Sequence, residues 1–380
     1  TAVIQSSSAT TVMVVGFVNS GLMQLSQAIS IIMGANVGTT ITAWLLSTTG
    51  LESDQWFVKI FTPQVFAPVL AVIGIVMLMA CRNGRKKDIG GIMLGFAVLV
   101  FGMDTMVGAV KPLAEIPEFT HMLTAFSNPL LGVLAGAVLT GIIQSSSASV
   151  GILQALAATG SVTYASAIPI VMGQNIGTCV TALLSSIGAN KNAKRAALVH
   201  LYFNIIGTAV WMTVFYGLNA VLHFSFINEN VTAASVAVIH TTFNLLSTLL
   251  LCPFSKLLEK LACMTIRDGG GEETEPLLDE RLLAAPSLAL DQCRITTKVM
   301  ADLSRDTLDL ALSMVGHYRP QDADTINQWE QQADEYEDAI GTYLVKLSSQ
   351  TLTAADSENA TELLKVIGDF ERIADHAVNI

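Results

Sequence analysis

Charge is scarce in this chain, and the places that lack it are informative. Only 13% of its 380 residues are charged and 7% are aromatic, against 52% hydrophobic. No Lys or Arg falls in six long apolar runs, at 27–49, 64–81, 89–110, 165–187, 196–222 and 232–253. Residues 1–253 carry 9 Lys/Arg and 7 Asp/Glu, whereas 254–380 carry 11 and 24. A nearly neutral apolar part is therefore followed by an acidic one, a balance that argues against nucleic acid as a partner. The five cysteines (Cys81, Cys179, Cys252, Cys263, Cys293) have no paired spacing, which argues against a disulfide frame or a zinc site. No Walker, HExxH or GxSxG sequence occurs, and the serine clusters have no nearby His or Lys to activate them. The chain does not read as an enzyme, and no signal peptide is visible.

What the chain does have is a stretch that occurs twice. Residues 5–45 and 144–184 align without a gap at an offset of 139, with 17 identities in 41 positions. Each copy opens on Gln-Ser-Ser-Ser and continues to a Gly-x-Asn-x-Gly-Thr cluster, GANVGTT at 34–40 and GQNIGTC at 173–179. Small polar clusters interrupting paired apolar segments point to a transporter site at a repeat interface. A second echo, HLYFNIIGT at 200–208 and HTTFNLLST at 240–248, puts His and Asn on one helix face. It reads either as interhelical hydrogen bonding or as a layer behind the site.

Each of the six runs is about long enough to cross a bilayer. The pieces flanking the second Gln-Ser-Ser-Ser, 130–143 and 148–158, are too short and together predict a re-entrant hairpin with a polar tip. The first copy keeps only a return arm, 8–23. Thr1 stands four residues before the first cluster, and Asn379-Ile380 stops inside a helical pattern, so the chain reads as a fragment at both ends. Basic clusters at Arg82–Lys87, Lys191–Arg195 and Lys256–Arg267 all fit one cytoplasmic side. The loops 50–62, with the single cation Lys59, and 223–231 then fall outside. With that orientation the span of the first copy runs in to out and that of the second out to in. The expected fold is all-α: a polytopic membrane protein with inverted repeats and re-entrant hairpins, then a cytoplasmic helical bundle. The expected domains are 1–253, a linker 254–286, and a partial bundle 287–380 with helices at 288–318, 322–349 and 354–380.

Glycine and Asn in mid-span weaken a continuous helix, so a break is expected at Gly34–Thr39 and at Gly173–Thr178. Freed carbonyls suit Na⁺, and half-helix N-termini with serine hydroxyls suit an anion. In the acidic part, Glu330/Asp334 and Glu371/Asp375 each sit at i and i+4. They could hold a divalent or ferric ion, or could simply form a solvated acidic face.

These motifs resemble the type II sodium/phosphate cotransporters, specifically the bacterial Na/Pi cotransporter branch with a C-terminal PhoU-like domain. ERIADHAVNI at 371–380 is similar to a PhoU helix signature. The resemblance implies inorganic phosphate as substrate and Na⁺ as coupling ion, carried across a bacterial plasma (inner) membrane. It implies Gln5, Ser6, Ser7, Ser8, Gln144, Ser145, Ser146 and Ser147 as hairpin residues around phosphate and Na⁺. It places Asn36, Thr39, Asn175 and Thr178 in unwound spans. It further implies metal binding at Glu330, Asp334, Glu371 and Asp375, with a homodimer or phosphate-signalling partners through the PhoU-like domain. The alternatives are a phosphate sensor that does not transport, or a Na⁺-coupled carrier of another anion.

Overall fold

A computed structural model describes residues 1–47, 63–81, 83–110, 112, 116, 126–267, 278–350 and 352–380. The expected outer loop 50–62, Arg82 and residues 268–277 of the expected linker lie outside the described residues. The described residues form α1 (Ser7–Asn19), α2 (Leu25–Ser47), α3 (Pro63–Ala80), α4 (Gly84–Val110) and α5 (Pro129–Ile143). These are followed by α6 (Ser146–Ala158), α7 (Tyr164–Ser185), α8 (Lys191–Leu222), α9 (Ala233–Leu251) and α10 (Ser255–Thr265). Three long helices close the chain: α11 (Pro286–Met314), α12 (Pro320–Ser348) and α13 (Ala354–Asn379). The chain is all-α, as expected.

Two compact units emerge. The first holds Thr1–Val12 and Leu25–Asp268; the second holds Met13–Gln24 and Gly269–Ile380. Helix α1 thus begins in one and ends in the other. In the first unit, α2, α4, α7, α8 and α9 are each long and apolar enough to cross a membrane. Helix α3, the remaining expected span, is apolar as well, and its described part, Val65–Ala80, falls among the shorter apolar helices. Large apolar side chains such as Val72, Met79, Ile92, Phe101 and Val221 stand exposed along α3, α4 and α8. That much outward apolar surface suits lipid rather than water.

Local chemistry fixes the hairpin. Asn128 Oδ1 accepts from the backbone N–H of Leu130 (3.1 Å) and Leu131 (3.4 Å), and Pro129 takes the first helical position of α5. Gln144 ends α5 in the left-handed conformation, with φ 57° and its N–H on Thr140 O. Ser145 then caps α6 through Ala148 N. Helix α5 lies against α7 so closely that only glycine fits. A Cβ on Gly173 would run into Val133 O, one on Gly136 into Ile170 O, and one on Gly177 would stand 2.5 Å from Ala137 O. The core beside it gathers Ala43, Val150, Leu153, Ala157, Ile170, Val171 and Val236 from α2, α6, α7 and α9.

Helix α10 forms inside the stretch expected to be linker. Its start follows a short 3-10 turn at Cys252–Phe254, and Leu258 and Ala262 bury one face against Val199 and Phe203 of α8. Arg195 closes the other end, giving Nε and Nη2 to Ile266 O. In the second unit, α11, α12 and α13 pack around Leu282, Leu290, Met300, Ile340, Leu344 and Ile367. Thr353 caps α13 through Asp356 N, whereas α12 starts at Pro320, two residues before the expected Asp322. Asp322 instead pairs with Arg319 at 2.7 Å.

Candidate functional site

The two Gln-Ser-Ser-Ser clusters meet. Ser7 Oγ and Ser146 Oγ, repeat-equivalent atoms, lie 3.0 Å apart and buried. Ser8 Oγ donates to Gln144 O across the same junction at 3.2 Å. Each cluster builds the same local structure. Gln5 and Gln144 both adopt the left-handed backbone, with φ 56° and 57°. A non-glycine residue holds that conformation only where its surroundings impose it. Here the N–H of each Gln is bound four residues back, Gln5 to Thr1 O and Gln144 to Thr140 O, both at 2.7 Å. Ser6 Oγ accepts from Ala9 N (3.1 Å) and Ser145 Oγ from Ala148 N (3.3 Å), so the first serine of each cluster caps a helix.

The equivalence continues beyond the aligned stretch. Thr1 Oγ1 donates to Thr10 Oγ1 at 2.9 Å, and Thr140 Oγ1 donates to Ser149 Oγ at 2.7 Å, both pairs separated by the same offset. Gly38 faces Thr1 and Ala2, and Gly177 faces Thr140 and Gly141. The glycine of the second signature therefore lets the chain leading into the first one approach α2 or α7. Gln5 Oε1 also accepts from Thr42 Oγ1 of α2 at 2.7 Å, and Gln174 Nε2 of α7 donates to Ser149 O of α6 at 2.9 Å. These contacts hold each serine tip against its own long helix.

The second signature departs from expectation in one respect. Helices α2 and α7 run unbroken through Asn36–Thr39 and Asn175–Thr178, rather than unwinding there. The side chains that were to interrupt the helix bond back onto it. Asn36 Nδ2 donates to Ile32 O, Thr39 Oγ1 to Ala35 O, Asn175 Nδ2 to Val171 O and Thr178 Oγ1 to Asn175 O, at 2.6–3.2 Å. Gly38, Gly173 and Gly177 serve close packing instead of a break, whereas a Cβ on Gly34 would meet nothing within 4 Å. All four residues are buried. His200 of α8 reaches Asn36, its Nε2 3.4 Å from Asn36 Oδ1, which puts the first His/Asn echo directly behind the site. Within both echoes the Asn amide donates to the His carbonyl one turn earlier.

The geometry thus unites Ser7, Ser8, Ser146 and Gln144, with Ser6 and Ser145 as caps, while Asn36, Thr39, Asn175 and Thr178 line the adjoining helices. The first turn of a helix leaves N–H groups without intrahelical partners and carries partial positive charge. Two such turns, of α1 and α6, converge here. No Lys or Arg occurs in α1, α2, α5, α6 or α7. The arrangement can donate hydrogen bonds to an anion through hydroxyls and helix ends and can offer oxygens to a hard cation. Thr1, Thr10, Thr140, Ser149 and Gln174 complete it and were not foreseen. Carrying the 139-residue offset four positions upstream would have found the Thr1/Thr140 pair.

In the second unit, burial first, then the charges of Asp334, Asp375 and Glu371, raise the carboxyl of Glu330 above the usual range. Burial, then Glu371, Asp338 and Asp334, does the same to Glu337. The α12 and α13 carboxylates therefore feel one another. Among the described residues, however, no group of three or more His, Cys, Asp or Glu is placed to hold a metal ion. Burial lifts the Cys293 thiol to about 12, which leaves it inert.

Comparison with known proteins gives two family matches. Residues 1–108 and 110–246 match the Na⁺/Pi-cotransporter family, and residues 297–380 match the PhoU domain. YjbB of Salmonella typhimurium, named for inorganic phosphate export, is 27% identical over 99% of this chain and 67% of its own length. YqeW of Bacillus subtilis is 30% identical over 70% of this chain and 81% of its own. The human sodium-dependent phosphate transport protein 2B is 30% identical over 42% of this chain and 22% of its own. No solved structure matches the chain at a significant level.

Proposed function

The chain belongs to the Na⁺/Pi-cotransporter family, and from that premise we propose that it carries inorganic phosphate together with Na⁺ across the bacterial plasma membrane by alternating access. The observation that carries this reading is the meeting of Ser7 and Ser146, 3.0 Å apart at the N-termini of two helices. Phosphate seated there takes hydrogen bonds from serine hydroxyls and from first-turn N–H groups. With no Lys or Arg in the helices that build the site, its charge is balanced by helix ends and by co-bound Na⁺. An isolated charge at mid-membrane costs about 3 kcal/mol or more. Joint loading removes much of that cost and leaves the half-loaded carrier unfavourable, which is coupling. The two copies, inverted by the charge pattern of their loops, supply two alternative packings of similar energy. The second unit, on the cytoplasmic side, regulates this cycle.

The test is uptake of ³²P-labelled phosphate into proteoliposomes containing the full-length protein. Uptake requires Na⁺, and Ser7→Ala or Ser146→Ala each lowers it at least about tenfold, the scale of one lost charge-assisted hydrogen bond, with folding retained. Uptake that is unchanged without Na⁺ overturns the coupling. The relatives named for export favour a second reading, in which net flux is outward. Opposed Na⁺ and phosphate gradients decide the direction. A carrier that moves another anion and not phosphate, or a protein that binds phosphate with no flux, fails the same assay.

A further inference from the structure

Helix α1 has two ends with different duties. Its N-terminal turn presents Ser7 to Ser146. Its C-terminal half, from Met13, belongs to the compact unit that also contains residues 269–380. There Asn19, 1% exposed, donates from Nδ2 to Oδ2 of Asp279 at 2.9 Å, and Asp279 is itself 4% exposed. Asp279 is fixed on its other sides: its N–H donates to Gln292 Oε1 at 3.2 Å, and its carbonyl accepts from Tyr343 Oη at 2.7 Å. Phe17 and Leu22 pack against the cluster of Leu290, Met300, Tyr343 and Leu347. A buried carboxylate that accepts from an amide, on a residue whose backbone is itself held by Gln292 and Tyr343, is costly to separate from its partner. Ser7 and Asn19 are twelve residues apart on one unbroken helix, about 18 Å at 1.5 Å per residue. A stiff rod of that length transmits displacement at one end to the other.

We propose that the Asn19–Asp279 contact is a regulatory latch through which the acidic helical unit restrains the substrate-facing tip of α1. The proposal rests on the transport reading above. Alternating access requires the serine tip to move, and a tip whose helix is rooted at its far end in a buried polar contact and packed side chains moves less. Whatever alters that bundle around Asp279 therefore alters transport without touching the site.

The test uses the full-length protein in proteoliposomes with two variants. Asn19→Asp sets two carboxylates face to face and opens the latch. The exchanged pair, Asn19→Asp with Asp279→Asn, restores an amide–carboxylate contact. Na⁺-dependent phosphate uptake is expected to rise about fivefold in the single variant and return to within twofold of the parent in the exchanged pair. Hydrogen exchange of α1, a readout independent of flux, is expected to quicken along the whole helix to the Ser7 turn in the single variant and to recover in the exchanged pair. If the parent shows no flux, the transport reading fails while the exchange experiment still decides the latch. Faster exchange confined to residues 13–19, equal behaviour of the single and exchanged variants, or a single variant indistinguishable from the parent overturns the proposal.

Discussion

The two return arms, α1 and α6, begin alike and end differently. Both start at a left-handed Gln, both are capped by the first serine of the cluster, and both hold a Thr-to-hydroxyl contact at the same offset. One and two turns further on they diverge. Gln154 of α6 is fully buried and donates to Ala43 O at 2.9 Å and Ala233 O at 3.0 Å, tying the arm to α2 and α9. The equivalent position in α1 is Val15, and the polar anchor there falls instead at Asn19, whose equivalent is Ala158. Duplication is thus preserved where the chemistry of the tip demands it and lost where each arm is rooted. One arm is anchored within the apolar unit, and the other in the acidic one.

Three perturbations press on this contrast, in falling order of effect. Gly173→Ala strikes the frame of the second arm, because the new methyl would overlap the Val133 carbonyl and backbone cannot swing aside. A loss of about 3 kcal/mol or more is expected, the upper end of overpacking costs, read as a lowered unfolding temperature or failed expression of the apolar unit. Gln154→Leu removes the anchor of α6 and leaves two carbonyls short of a donor. It should cost about 1–2 kcal/mol and quicken hydrogen exchange in α6 while α1 is unaffected. Equal loosening of both arms would erase the distinction.

The smallest effect concerns the unit in which α1 is rooted. Glu330 has a folded-state pKa above its value of 4.5 in the unfolded chain, so the folded form holds that proton more tightly. Its stabilising contribution is full below 4.5 and is lost as pH rises through the raised value. Glu330→Gln should therefore raise the stability of this unit at pH 7 by no more than about 0.5 kcal/mol, the usual range for an exposed position. It should also flatten the rise in stability seen on acidification, with the apolar unit unmoved. Thermal unfolding followed between pH 7 and 5 reads both.

Much of this was legible in the sequence. Apolar runs gave the long helices within a few residues, because a 20-residue hydrophobic stretch has few other uses. The repeat gave the serine tips, because two copies of one polar cluster in apolar surroundings have to meet something polar. The sequence misled at Asn36–Thr39 and Asn175–Thr178, where intrinsic helix weakness argued for a break. Propensity was overridden by side chains bonding to their own helix and by the need for glycine at the α5–α7 contact. Helix α10 was concealed because its charges resemble a linker, although its apolar stripe of Leu258 and Ala262 recurs every four residues. The anchoring of α1 was not legible at all, since nothing local in Asn19 or Asp279 says that residues 260 positions apart will pair.

The most direct test of the central claim is a cross-link between the two tips. Ser7→Cys with Ser146→Cys, introduced into the full-length protein in proteoliposomes, replaces hydroxyls 3.0 Å apart by thiols. Mild oxidation is predicted to join them within the chain, to stop Na⁺-dependent phosphate flux, and to be reversed together with that block by reduction. Thiols that stay unjoined under oxidation, or a joined pair that still carries phosphate at the parent rate, would contradict the account.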